Sequence, residues 1–272
     1  MTIDRHNSLG CRRDWHDPRD LAYKPPWPLV DIRSAHPPGI DLRPFFGPPR
    51  DQMRTSSCVG FAVSAAYEFL YPDKAPLSSW WAYYVARNRG RCVGWDAGCS
   101  IRDALKELRH LGIAPESKCK FPVLYATAPV PDSWEQAYAL GMPLDDAFEA
   151  ALALSGCSYH RVAEHHILDC LAEAKETRKC SPPIAGIPVY ESAFTAEVER
   201  TGVLPVPQSD DPLAGGHAIL IVGADGNRYI ARNSWDGHGD GGHLLIPTGY
   251  PLAGCDFWTV RKPETGFDGC PA

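Results

Sequence analysis

Residues 51–70, DQMRTSSCVGFAVSAAYEFL, constrain the fold of this chain more than any other stretch. The segment is polar as far as Ser57 and turns apolar at Cys58. Its second half is dominated by good helix formers, and Pro72 stops it. That pattern predicts a buried helix with Cys58 in its first turn. At a helix N-terminus, unpaired N–H groups and the positive dipole end favour an anion. A thiol there is expected to titrate well below the usual ~8.5, in the range of about 3.5–7.5 seen for such cysteines when paired with histidine. Gln52 lies six residues before Cys58.

Two later stretches supply partners for such a thiol. Gly215-Gly216-His217 opens an apolar strand, and sixteen residues after His217, Asn233-Ser234-Trp235 closes the next one. Asp225-Gly226 between them is a hairpin signal, so the two strands fold back on each other and bring His217 towards Asn233. The residue types fit nucleophilic catalysis. Cys58 supplies a thiolate, His217 pairs with it as imidazolium and later protonates a leaving amine, and Asn233 fixes the ring's tautomer and orientation. The Gln52 side-chain amide can donate to a developing oxyanion together with the Cys58 backbone N–H.

Gln52 and Cys58, Gly216-His217-Ala218 with its apolar strand, and Asn233-Ser234-Trp235 together resemble the papain-like cysteine peptidases, in particular a bacterial branch with a short N-terminal extension. Arg19-Asp20 with Tyr23, Ile40-Asp41-Leu42-Arg43, Val189-Tyr190-Glu191-Ser192, residues 98–112 and Asp256-Phe257-Trp258-Thr259 fit the same branch in the same order. The resemblance implies an α+β fold of two lobes, one helical and one an antiparallel, barrel-like sheet, with a cleft between them. It implies a Cys58–His217–Asn233 site with Gln52 at the oxyanion. It also implies Gly98 and Gly216 as substrate-binding positions, with Trp235 shielding the His217–Asn233 bond. Met53, Ser56, Val59 and Asp236 depart from the family's usual residues and bear on the shape of the cleft. The implied activity is endopeptidase, without a cofactor, acting on a peptide or protein as a monomer. An acyltransferase or amidase using the same site, or a peptide-binding scaffold, is the alternative.

Composition narrows the classes further. A net charge of −6 and a pI near 5.9 argue against a nucleic-acid partner. No apolar run approaches the ~20 residues of a membrane span, and MTIDRHNSLGCRRDW lacks the apolar core of a secretory signal, so neither membrane nor signal-dependent export is expected; the compartment stays open. Ten cysteines are many for a reducing compartment but form no dense framework. Cys92 with Cys99, Cys170 with Cys180, and Cys255 with Cys270 are candidate bridges. Cys157, His160, His165, His166 and Cys170 match no common zinc spacing, so no metal is assigned.

The expected domain plan is an N-terminal extension over residues 1–39, packed on the body by Trp15, Tyr23 and Trp27 and lying near the cleft. A peptidase domain follows over 40–262, with a helical lobe at about 52–155 and a β lobe at about 156–262, then a tail over 263–272. Helices are expected over 77–88, capped by Ser78 or Ser79, over 100–112 with Ser100 and Asp103 as a capping box, over 144–154 and over 166–174. Strands are expected over 158–162, 184–190, 218–222, 228–232, 243–246 and 257–260. His165, His166, His238 and His243 are read as surface or loop residues.

Overall fold

The helix that begins at Cys58 is apolar all round, and helices of that kind are buried. The computed structural model describes residues 9–26, 39–93, 96–121, 143, 145–235 and 237–263. In it α1 (Cys58–Leu70) buries every residue except Glu68. Around α1 lie α2 (Ser79–Arg89) and α3 (Ile101–Leu111). Ser78 caps α2 by accepting from the Trp81 N–H, and Ser100 caps α3 by accepting from the Asp103 N–H at 3.2 Å. Later come α4 (Asp145–Leu152), α5 (Ile167–Thr177) and α6 (Ala196–Thr201). The sequence pattern misses α6, because six residues hold too little periodicity to read.

The sheet is built on one long strand. Counting β1 (Cys11–Arg12), β2 (Ile40–Asp41) and β3 (Cys99–Ser100), the strands continue with β4 (Ser158–Arg161), β5 (Ile184–Tyr190), β6 (Leu213–Asp225), β7 (Arg228–Arg232), β8 (His243–Pro247) and β9 (Asp256–Arg261). Their order is β4-β9-β5-β6-β7-β8, antiparallel throughout, with β2 added to the far end of β6. From His217 to Ala224 β6 is wholly buried, as a central strand covered on both faces must be. The papain-like α+β class agrees with this architecture. The sheet is open, however: among the described residues its end strands β4 and β8 do not pair, so it is not a barrel.

The N-terminal arm is held differently from expectation. Tyr23 is buried and donates its hydroxyl to Glu173 at 2.9 Å, but Trp15 is 89% exposed, and Trp27 lies outside the described residues. Polar groups do most of the fastening. Asp17 and Asp20 meet Arg102, and Asp20 and Asp256 meet Arg161. Short polar segments of this kind give no hydrophobic signal in sequence. The candidate bridges are also absent, since every cysteine among the described residues is a free thiol; Cys270 lies outside them.

Candidate active site

Cys58 is the first residue of α1, where the orphan N–H groups lie. Its sulfur is addressed by the backbone N–H groups of Val59, Ala218 and Gly10, each of which favours the thiolate. Burial nevertheless wins. The thiol is fully enclosed, and desolvation pushes its pKa up to about 11, with a smaller contribution from the Asp96 carboxylate. The low pKa expected from the helix terminus is therefore corrected for this closed arrangement: the stabilising donors are present, and exclusion of water outweighs them.

β6 delivers His217 next to Ala218, and the β6–β7 hairpin returns Asn233 to it. His217 Nε2 and Asn233 Oδ1 are 2.8 Å apart. Trp235 stacks on the imidazole with ring centroids 4.5 Å apart and 27° between planes, which keeps water from that bond. His238 packs edge-on against Trp235 at 5.1 Å. His238, in the loop between β7 and β8, and His243, at the start of β8, are both buried rather than at the surface. Gln52 is tied to the same wall: its backbone N–H donates to the Ser234 carbonyl at 2.9 Å, and its Oε1 accepts from the Ser234 hydroxyl. One of its two amide protons goes to the Thr55 carbonyl at 2.6 Å.

Asp96 joins this set, although the sequence marks it only as part of a loop. Both of its oxygens accept from the Ser56 N–H, at 3.0 and 2.9 Å, and Oδ1 also accepts from the Tyr83 hydroxyl. That hydroxyl in turn accepts from the Gly98 N–H at 3.0 Å. One buried carboxylate thus clasps the approach to Cys58 to the Gly98 loop. Burial raises its pKa, opposed by the Tyr83 and Ser56 hydrogen bonds and by the Arg87 charge, whose guanidinium lies 4.2 Å from the Tyr83 ring centroid.

The arm runs along the glycine positions. The Gly10 carbonyl accepts from the Cys99 N–H at 2.9 Å, and β1 pairs in parallel with β3. A Cβ on Gly98, whose φ is +67°, would run into the Gly10 carbonyl; one on Gly216 would run into that of Cys11; one on Gly10 would run into that of Ser56. Gly98 and Gly216 therefore line the channel that the arm occupies. No group of three or more candidate metal ligands occurs among the described residues. Cys157, His166 and Cys170 turn to separate partners, Tyr71, Asp169 and the Ser181 carbonyl.

No family model matches the chain. It is 25% identical over 228 residues to an uncharacterised peptidase C1-like protein of Acanthamoeba polyphaga mimivirus, covering 78% of this chain and 69% of that protein. Among solved structures it is similar to xylellain, a cysteine protease from Xylella fastidiosa, with 29% identity and a TM-score of 0.80, covering 97% of this chain and 99% of the other. A cysteine protease of Carica candamarcensis in complex with E-64 shares the fold at 20% identity and a TM-score of 0.56, covering 84% and 100%.

Proposed function

The chain belongs to the papain-like cysteine peptidases, and from that premise we propose that it is an endopeptidase whose nucleophile is covered, in the form described, by its own N-terminal arm. The Cys58 thiolate attacks the scissile carbonyl. The oxyanion is held by the Gln52 amide and the Cys58 N–H, and His217 gives its Nδ1 proton to the leaving amine. His217 then takes a proton from water, which hydrolyses the thioester. No step calls on a cofactor.

The observation that carries this reading is the His217–Asn233 pair, 2.8 Å apart beneath Trp235, with the next residue, Ala218, sending its N–H to the Cys58 sulfur. The arm's role rests on Gly10, whose N–H addresses the same sulfur and whose carbonyl occupies the Cys99 N–H. Extended peptides bind through such strand-like bonds, so arm and substrate compete for one edge. Ala214-Gly215-Gly216, the segment of β6 that runs beside the arm, carries no charge, which favours an apolar substrate side chain.

The test is peptide cleavage by the full chain carrying Gly10→Ala, whose added methyl collides with Ser56 and dislodges the arm. The expected result is cleavage that exceeds wild type and vanishes with Cys58→Ala. Aminolysis outrunning hydrolysis when an amine is added would make the chain an acyltransferase. Peptide binding without turnover would make it a scaffold.

A further inference from the structure

Beneath the site, between α1 and the β6–β7 hairpin, is a crevice lined by Phe61, Ala62 and Ala65 on one side and by Arg232, Asn233 and Ser234 on the other, with Arg50 at its rim. It offers about 10 Å³ of room for the centre of a small guest. That is roughly one water-sized sphere, too little for a polyatomic ion.

The polar lining is almost entirely donors. Asn233 is 4% exposed; its Oδ1 serves His217 and the Ser234 N–H, while its Nδ2 has no acceptor among the described residues. Ser234 gives its hydroxyl proton to Gln52. The two arginines differ. Arg50 is neutralised by Glu68 at 3.0 Å and Glu116 at 3.4 Å. Arg232, only 7% exposed, has neutral partners, the carbonyls of Gly47 at 2.8 Å and Pro48 at 2.7 Å and the Phe46 ring 5.3 Å from its guanidinium, and no carboxylate in contact among the described residues. Burial and the like charge of Arg50 depress its pKa to about 10, with only Glu68 acting in the other direction. A buried guanidinium with no carboxylate in contact is costly. A water could accept from these donors, but its own two protons would face cations. A spherical anion has no such conflict.

We propose that this crevice binds one monovalent, chloride-sized anion, which neutralises Arg232 and accepts from Asn233 Nδ2, fixing the amide whose other end holds His217. The anion is thus a positioning element beneath the site. Its effect on catalysis rests on the peptidase reading; its binding does not.

Two measurements on the full chain are independent of activity. Crystals soaked in sodium bromide should show one anomalous peak between Arg232 and Asn233, kept in Arg232→Lys and lost in Arg232→Met. Replacing sodium gluconate with sodium chloride at constant ionic strength should raise Tm saturably in wild type and Arg232→Lys, and leave Arg232→Met flat. In the Gly10→Ala chain, kcat/KM should fall about fivefold in gluconate, the low end of coupling between two sites. A wild-type crystal without the peak overturns the proposal. So does a peak without a saturable Tm response, which would mark an adventitious ion only. A bound bromide in a chain that cleaves no peptide would instead count against the peptidase reading while leaving the anion site in place.

Discussion

The two walls of the site are held by unlike forces. On the side of Cys58, the proposed nucleophile, one buried carboxylate, Asp96, gathers the Ser56 N–H and the Tyr83 hydroxyl, with the Arg87 charge close by. On the other side His217, the proposed base, rests on a neutral amide and a flat indole, carried by a hydrogen-bonded hairpin. A buried charge is tolerable only while its partners are all in place. A neutral stacked wall loses support by degrees. The nucleophile wall should therefore fail abruptly when altered, and the base wall gradually.

The contrast concerns support rather than chemistry, so removing a reacting group should cost alike on either side. In the Gly10→Ala background, Cys58→Ala and His217→Ala are each expected to lower kcat/KM by on the order of 10⁴ or more, read from peptide hydrolysis. A mild effect from His217→Ala would leave the base wall without its assigned role.

Asp96→Ala comes next. It strands two donors and removes the countercharge of Arg87, for an expected loss of about 3–5 kcal/mol in denaturant unfolding. Asp96→Asn keeps an acceptor and should lose less. Equal losses would show that charge does not govern this wall.

The arm adds a third, pH-dependent attachment. Asp14 accepts from the Trp258 indole N–H at 2.8 Å and from the Arg102 N–H at 3.2 Å, while its own N–H donates to Asp256. Burial first, and the Asp256 carboxylate second, raise the Asp14 pKa from 3.8 to about 6. A docked arm therefore binds a proton that a released arm, titrating near its ordinary value, does not. The extra docking stability is fully present below pH 3.8, declines as pH rises and is gone above about 6. Its size is at most about 3 kcal/mol. Exchange of the Cys99 amide, which donates to Gly10, should become faster from pH 4 to 7 beyond the intrinsic rate, and Asp14→Asn should remove that excess. A wild-type excess that Asp14→Asn leaves unchanged would assign the titration elsewhere.

The smallest effect belongs to the base wall. Trp235→Phe keeps an aromatic face over His217 and should cost under about 1.5 kcal/mol of stability. The accompanying drop in kcat should be on the order of tenfold, since proton transfer depends on the held ring. An abrupt loss comparable with Asp96→Ala would erase the distinction between the walls.

Much of this was legible in the sequence because it is carried by long periodic elements. The apolar run after Cys58, the β6–β7 turn at Asp225-Gly226 and the caps at Ser78 and Ser100 all write their structure locally. Asp96 and Tyr83 were not legible as site residues, since a buried carboxylate looks like any loop acid until its partners are placed around it. Nor was the pKa of Cys58. It depends on whether water reaches the sulfur, and hence on Gly10, nearly fifty positions away in the chain. The arm's fastening was misread in favour of Trp15 because aromatic residues suggest packing, whereas Asp14, Asp17 and Asp20 hold it through charges and backbone groups that no periodicity announces.

The most direct test of the arm covering a competent thiol is the rate of Cys58 alkylation by iodoacetamide against pH, followed by mass spectrometry. It compares the full chain, Gly10→Ala, and Gly10→Ala with His217→Ala. Wild type should react only in the alkaline range, rising towards about 11. Gly10→Ala should react at neutral pH and below, and should lose that reactivity when His217 is removed. Identical profiles in wild type and Gly10→Ala would contradict it, because the arm would then not be what seals the sulfur.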